Sequence, residues 1–117
     1  MAKILVVDDE PGLRLLYTAE LEDEGYEVVS AADCSSAAEL LEKEQIDLVV
    51  LDIQIKQESG LEMLQKIVKE RAGLPVILCS AYNCYKDDFA SWLADAYIVK
   101  SSNLDELKQE IARQLNK

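Results

Sequence analysis

The chain has no histidine among its 117 residues. That removes the usual general base, the usual zinc ligand and any role as a carrier of phosphohistidine. Basic residues are scarce as well: 12 Lys and Arg face 23 Asp and Glu, a formal net charge of −11 at pH 7. A phosphate backbone or an anionic membrane is repelled by such a surface, so direct nucleic-acid binding by this domain is not expected. The three cysteines, Cys34, Cys79 and Cys84, form neither a C-x-x-C pair nor an even-numbered framework, and read as reduced thiols. Long apolar runs are missing too. Ile4 to Val7 is too short for a signal peptide, and the uncharged stretch from Ala72 to Tyr85 is interrupted by Gly73, Pro75, Ser80 and Asn83. These absences point to a cytoplasmic address. Chemistry here has to run on carboxylates, hydroxyls and lysines.

What is present is a regular alternation. Strand-length runs rich in Val, Ile and Leu occur at Lys3–Val7, Tyr26–Ser30, Asp47–Leu51, Pro75–Cys79 and Ala96–Val99, apolar on both faces as in a buried parallel sheet. Between them lie sets at helical spacing: Leu13, Leu16, Tyr17 and Leu21; Ala37, Ala38 and Leu41; Leu61, Leu64, Ile67 and Val68; Tyr85, Phe89, Trp92 and Leu93; Leu104, Leu107, Ile111 and Leu115. Pro11 marks a helix start, Gly25 and Gly73 mark helix ends, and Asn103 three residues before Glu106 suggests a capping box. Five β-α units tile residues 1–117 as one domain. The expected architecture is a flavodoxin-like, doubly wound (βα)5 sandwich with a five-stranded parallel sheet in the order 2-1-3-4-5, whose ligand site lies beyond the carboxyl ends of strands 1 and 3.

At those ends stand acids. Asp8, Asp9 and Glu10 follow the first run and Asp52 follows the third. Two carboxylates about 4 Å apart repel by about 4 kcal/mol at an effective dielectric near 20, so the cluster calls for a proton or a cation. All-oxygen ligation by a few carboxylates, a backbone carbonyl and retained waters, with no calcium-loop spacing, favours Mg2+. Taken alone, any of these acids could be a helix cap or a loop residue; their convergence from two strands argues for a site. Ser80 and Lys100 end the fourth and fifth strands and add a hydroxyl and a compact, solvated ammonium to the same edge. Together they describe a phosphoryl site, with a carboxylate as nucleophile.

At these positions the sequence resembles the receiver domain of bacterial two-component response regulators, over essentially all 117 residues. The family's acidic pair is matched by Asp8 and Asp9, its phosphoacceptor by Asp52, its loop glycine by Gly60, its Ser/Thr-Ala pair by Ser80 and Ala81, its switch aromatic by Tyr97 and its strand-5 lysine by Lys100. Two positions depart from the pattern. Ile55 and Lys56 replace the usual Met-Pro, and Ser101 replaces a proline after the lysine, where a cis bond would cost roughly 2.5–4 kcal/mol.

The resemblance implies a phosphoacceptor domain that takes a phosphoryl group from a sensor histidine kinase or a histidine phosphotransfer protein, Mg2+-dependently, with the ion held by Asp9, Asp52 and the backbone carbonyl of Gln54 and with Asp8 acting through bound water, and switches its protein-binding surface through Ser80 and Tyr97. If the chain is the natural full length, output would go through a downstream protein target. Gln54 and Tyr82 would flank the path of hydrolytic water and prolong the phosphorylated state. An aspartyl-phosphate phosphohydrolase is the competing enzyme reading, but it needs an acid where Gln54 stands. A flavin carrier of the same fold is the competing binding reading, but carboxylates after strand 1 would repel the flavin phosphate.

Overall fold

The computed structural model describes residues 1–55, 58–80, 93–100 and 103–116. β1 (Lys3–Val7), β2 (Glu27–Ala31), β3 (Leu48–Asp52), β6 (Val76–Ser80) and β7 (Ala96–Val99) form one parallel sheet in the order β2-β1-β3-β6-β7. In chain order those five strands run 2-1-3-4-5, as the sequence pattern implies. β4 (Gln54–Ile55) and β5 (Glu58–Ser59) are a two-residue antiparallel pair that carries the chain from β3 into the next helix. The first and last main strands have the limits read from sequence. β2, β3 and β6 each sit one residue later, so that Asp52 and Ser80 are the final residues of their strands.

Alternation along the strands builds two cores. Leu5, Val7, Val49, Leu51, Val76 and Leu78 pack on one face against α2 (Cys34–Lys43) and α3 (Gly60–Glu70), through Ala37, Leu41, Leu64 and Ile67. Ile4, Val6, Leu48, Val50, Ile77 and Cys79 pack on the other against α1 (Pro11–Asp23) and α4 (Asp105–Leu115), through Tyr17, Leu21, Leu107 and Ile111. Every residue of β3 and β6 is buried, as a strand covered on both faces requires. Each methylene so buried contributes about 0.8 kcal/mol.

Helix ends follow the local sequence in most places. Pro11 opens α1, and Gly25 closes it at φ 98°, its N–H donating to the Glu22 carbonyl while that of Tyr26 donates to Leu21. This is the paired C-terminal closure that a residue in the left-handed region allows. Asp33 caps α2 by accepting from the Ser36 N–H, and Ser59 caps α3 by accepting from the Glu62 N–H. At α4 the expected capping box does not form: Asn103 accepts from the Asp105 N–H two residues on, a local turn ahead of the helix.

Other helical expectations are corrected in part. α1 buries Tyr17 and Leu21, but Leu13 is half-buried and Leu16 exposed, so its core stripe is narrower than the spacing suggested. Leu93, assigned to a fourth helical core face with Tyr85, Phe89 and Trp92, is exposed; its three companions lie outside the described residues, as do Lys56, Ala81, Tyr82, Cys84 and Ser101. No helix among the described residues is long and apolar enough to cross a membrane.

Gly60 is required by close approach. A Cβ there would collide with the Asp52 carbonyl and with Cα of Ile53, and the Gly60 N–H donates to the Ile53 carbonyl at 2.6 Å. The start of α3 is thus locked onto the end of β3. Gly60→Ala should lower the unfolding free energy by about 1–3 kcal/mol in urea titration. Gly12→Ala, at an open position inside α1, should raise it by about 0.5–1 kcal/mol.

Candidate functional site

The carboxyl edge of the sheet gathers side chains from three separate strand ends. Asp8 follows β1, Asp52 ends β3 and Lys100 follows β7. Asp8, Asp9 and Asp52 each offer a carboxylate oxygen, all within 4.8 Å of one another. The Lys100 ammonium donates to Asp8 Oδ2 at 2.8 Å and to Asp52 Oδ2 at 3.1 Å, bridging the two strands. Asp8 and Asp52 are both buried, and only 13% of the Lys100 side chain is exposed. Lys100, expected from sequence at this edge with a solvated ammonium, is instead largely buried as a counter-ion between the two acids.

Parallel pairing makes this convergence unavoidable. Neighbouring strands end level with one another, with Val7 opposite Leu51 and Asp52 opposite Cys79, so the residues just beyond them meet across one crevice. Asp8 is held from several directions: its N–H donates to the Ala31 carbonyl at 3.1 Å, and its Oδ1 accepts from the Glu10 N–H at 2.9 Å. Its own carbonyl accepts from Arg14 Nη1 at 2.7 Å. Arg14 is the site neighbour that sequence reasoning missed; its place one helical turn beyond Glu10 was the available signal.

Ser80 is buried at the end of β6, and its carbonyl accepts from the Lys100 N–H at 2.6 Å, so hydroxyl and ammonium belong to residues tied through the backbone. Gln54 begins β4, two residues after Asp52. Tyr97 faces Leu78 across the β6–β7 pairing and is half-buried against the core of α2 and α3. The Tyr97 ring is therefore partly covered. Gln54 stands two residues after Asp52 in the chain, and Tyr97 three residues before Lys100.

Burial sets the ionisation beneath the cluster. Tyr17 and Cys79, under the site in the α1/α4 core, are both pushed up to about 12 by desolvation and stay neutral at physiological pH. Burial by itself pulls the Lys100 ammonium down, but the hydrogen bond to Asp8 and the charges of Asp52 and Asp8 outweigh it and hold the group above the ordinary lysine value. A folded value above the unfolded one means that the stabilisation is fully present below the ordinary lysine range and is lost only as pH climbs through the raised value. Near neutrality the bridge is constant.

A doubly wound parallel sheet whose switch-point crevice holds carboxylates from two strands and a lysine from a third defines a class of small α/β modules built around an acidic edge. Within that class the family model described as the response regulator receiver domain matches residues 4–112, and the chain belongs to that family, the phosphoacceptor modules of two-component systems. The response regulator TrrA of Thermotoga maritima, solved in complex with Mg2+ and BeF, superposes at TM-score 0.95 with 44% identity, covering 98% of this chain and 100% of that one. A structure of TrrA in complex with the histidine kinase ThkA matches at TM-score 0.92 and 44% identity, over 98% of this chain and 99% of the other. Among curated proteins, the probable transcriptional regulatory protein TcrX of Mycobacterium tuberculosis is 38% identical over 106 residues, 89% of this chain and 45% of TcrX. GlrR of Escherichia coli is 33% identical over 94% of this chain but 25% of its own length, so the chain spans between a quarter and a half of these relatives.

Lys100→Ala leaves the Asp8 and Asp52 carboxylates facing each other without their ammonium. Its unfolding free energy in urea with chelator present should fall by about 3 kcal/mol at pH 7.

Proposed function

We propose that residues 1–117 form a single receiver domain in which Asp52 accepts a phosphoryl group from a phosphohistidine of a sensor histidine kinase or a phosphotransfer protein. The observation that carries this reading is the cluster of Asp8, Asp9 and Asp52 within 4.8 Å, bridged by Lys100. Three carboxylates against one ammonium leave these four side chains net negative, and their donors are hard oxygens, which fits a magnesium ion. Asp9, Asp52 and the Gln54 backbone carbonyl would hold it, with Asp8 acting through water. When bound, Mg2+ supplies positive charge to the phosphoryl oxygens.

The carboxylate of Asp52 attacks phosphorus, a P–O bond forms, the P–N bond of the phosphohistidine breaks, and the electron pair and then a proton return to the imidazole. Lys100 stands where it can exchange its Asp52 contact for an oxygen of the product, and the Ser80 hydroxyl can donate to a second. The phosphoryl adds a charge of about −1.5 to −2 beside the ends of β6 and β7. Tyr97, two residues along β7 from its end, is the aromatic through which that edge reaches the protein-binding surface. The result is a population shift between two surface states, coupled by about 1–3 kcal/mol.

The domain is a phosphoacceptor that assists its own phosphorylation and dephosphorylation rather than a turnover enzyme. It acts in the cytoplasm, binds its downstream target as protein, and is too acidic to bind nucleic acid itself. Incubation with acetyl phosphate and Mg2+ should add the mass of one phosphoryl group to the parent, and chelator should prevent it. Asp52→Asn should add none; a phosphorylated Asp52→Asn protein would overturn the assignment.

A further inference from the structure

Arg14 takes no part in the chemistry proposed above, yet its guanidinium turns back along α1 and donates to the Asp8 carbonyl at 2.7 Å. We propose that Arg14 is a positioning residue for the metal ligands: by holding the Asp8 carbonyl it fixes the peptide joining Asp8 to Asp9, and with it the aim of the Asp9 carboxylate.

The peptide is planar, so holding its carbonyl oxygen fixes the direction of the Asp9 N–Cα bond. Asp9 lies in the bend between the end of β1 and the start of α1, past the last residue of the sheet ladder. Every other bond described for Asp8 acts upstream of that peptide or on the side chain: the N–H on Ala31, Oδ1 on Glu10 and Oδ2 on Lys100. The Arg14 bond alone among these grips the plane that leads to Asp9. Helical side chains lean toward the helix N-terminus, and the Arg14 N–H is itself bonded to the Glu10 carbonyl, which seats the residue one turn past the acidic bend. The helix start and the metal ligands are thereby one mechanical unit.

The sign of the effect separates positioning from charge. A guanidinium near the site repels a divalent cation, so if Arg14 acted only through its charge, its removal would tighten Mg2+ binding. If it aims Asp9, removal weakens binding despite the lost repulsion. The inference rests on the Mg2+ reading above, and the experiment tells the two apart.

Calorimetric titration with Mg2+ alone, on the full chain, should show Arg14→Ala binding about tenfold more weakly than the parent, the low end for partners of metal ligands. Arg14→Lys, which keeps the charge and a donor of similar reach, should recover most of the affinity. In phosphorylation by acetyl phosphate, Arg14→Ala should need more Mg2+ for half-maximal rate and approach the parental rate at saturation. Unchanged or tighter Mg2+ binding in Arg14→Ala, with a parent that binds, overturns the positioning role and leaves the magnesium reading standing. A parent that binds no Mg2+ overturns both. A lower melting temperature with unchanged Mg2+ affinity assigns Arg14 a structural role and also overturns the proposal.

Discussion

The ion pair of Lys100 with Asp8 and Asp52 is the constraint around which the carboxyl edge is arranged. Parallel strands that end level deliver acids from β1 and β3 to the same crevice, and buried carboxylates at that separation repel by several kcal/mol. The ammonium from the end of β7, which reaches across β6, offsets this with one charge shared between two acids. Sheet order, strand length and the lysine's reach therefore have to agree. A one-residue slip of β7 would turn the lysine to the opposite face of the sheet.

That bridge also gives the site its poise. An ammonium held by two carboxylates is a strong but exchangeable partner for each of them. Around it the surroundings are stiff. Gly60 locks the start of α3 to the β3 end, and the Lys100 N–H is bonded to Ser80. A small change in the partner of one ammonium is thus felt by two strands at once.

The sequence displayed the framework well because the strongest signals are periodic. Apolar runs of strand length alternating with helical spacing read as a parallel sheet, although β2 and β7 prove to be partly covered edge strands, and the strand ends then single out Asp8, Asp52, Ser80 and Lys100 without any knowledge of side-chain positions. Strand limits missed by a residue where a polar side chain ends an apolar run, as with Asp52 and Ser80: hydrophobicity stops before the hydrogen-bond ladder does. Leu16 and Leu93 misled for the opposite reason, since apolar spacing marks which residues can share a face and not how wide the covered stripe is. The burial of Lys100 was hidden because a lone lysine after a strand looks the same whether it meets water or two acids. Arg14 was passed over since its partner is a backbone carbonyl, which leaves no trace in residue type.

Among the described residues, the charged and hydroxyl groups of the acidic edge hang from strand ends and the first turn of α1, and the outer faces of α2, α3 and α4 hold none of them. The two cores separate these surfaces from the carboxylates by a full layer of side chains. Substitutions on the helical exteriors can therefore accumulate with little consequence for the carboxylate cluster. Such a fold lends itself to duplication and divergence: copies can drift toward different partners, and insulate one signalling line from another, while all of them keep the same chemical core.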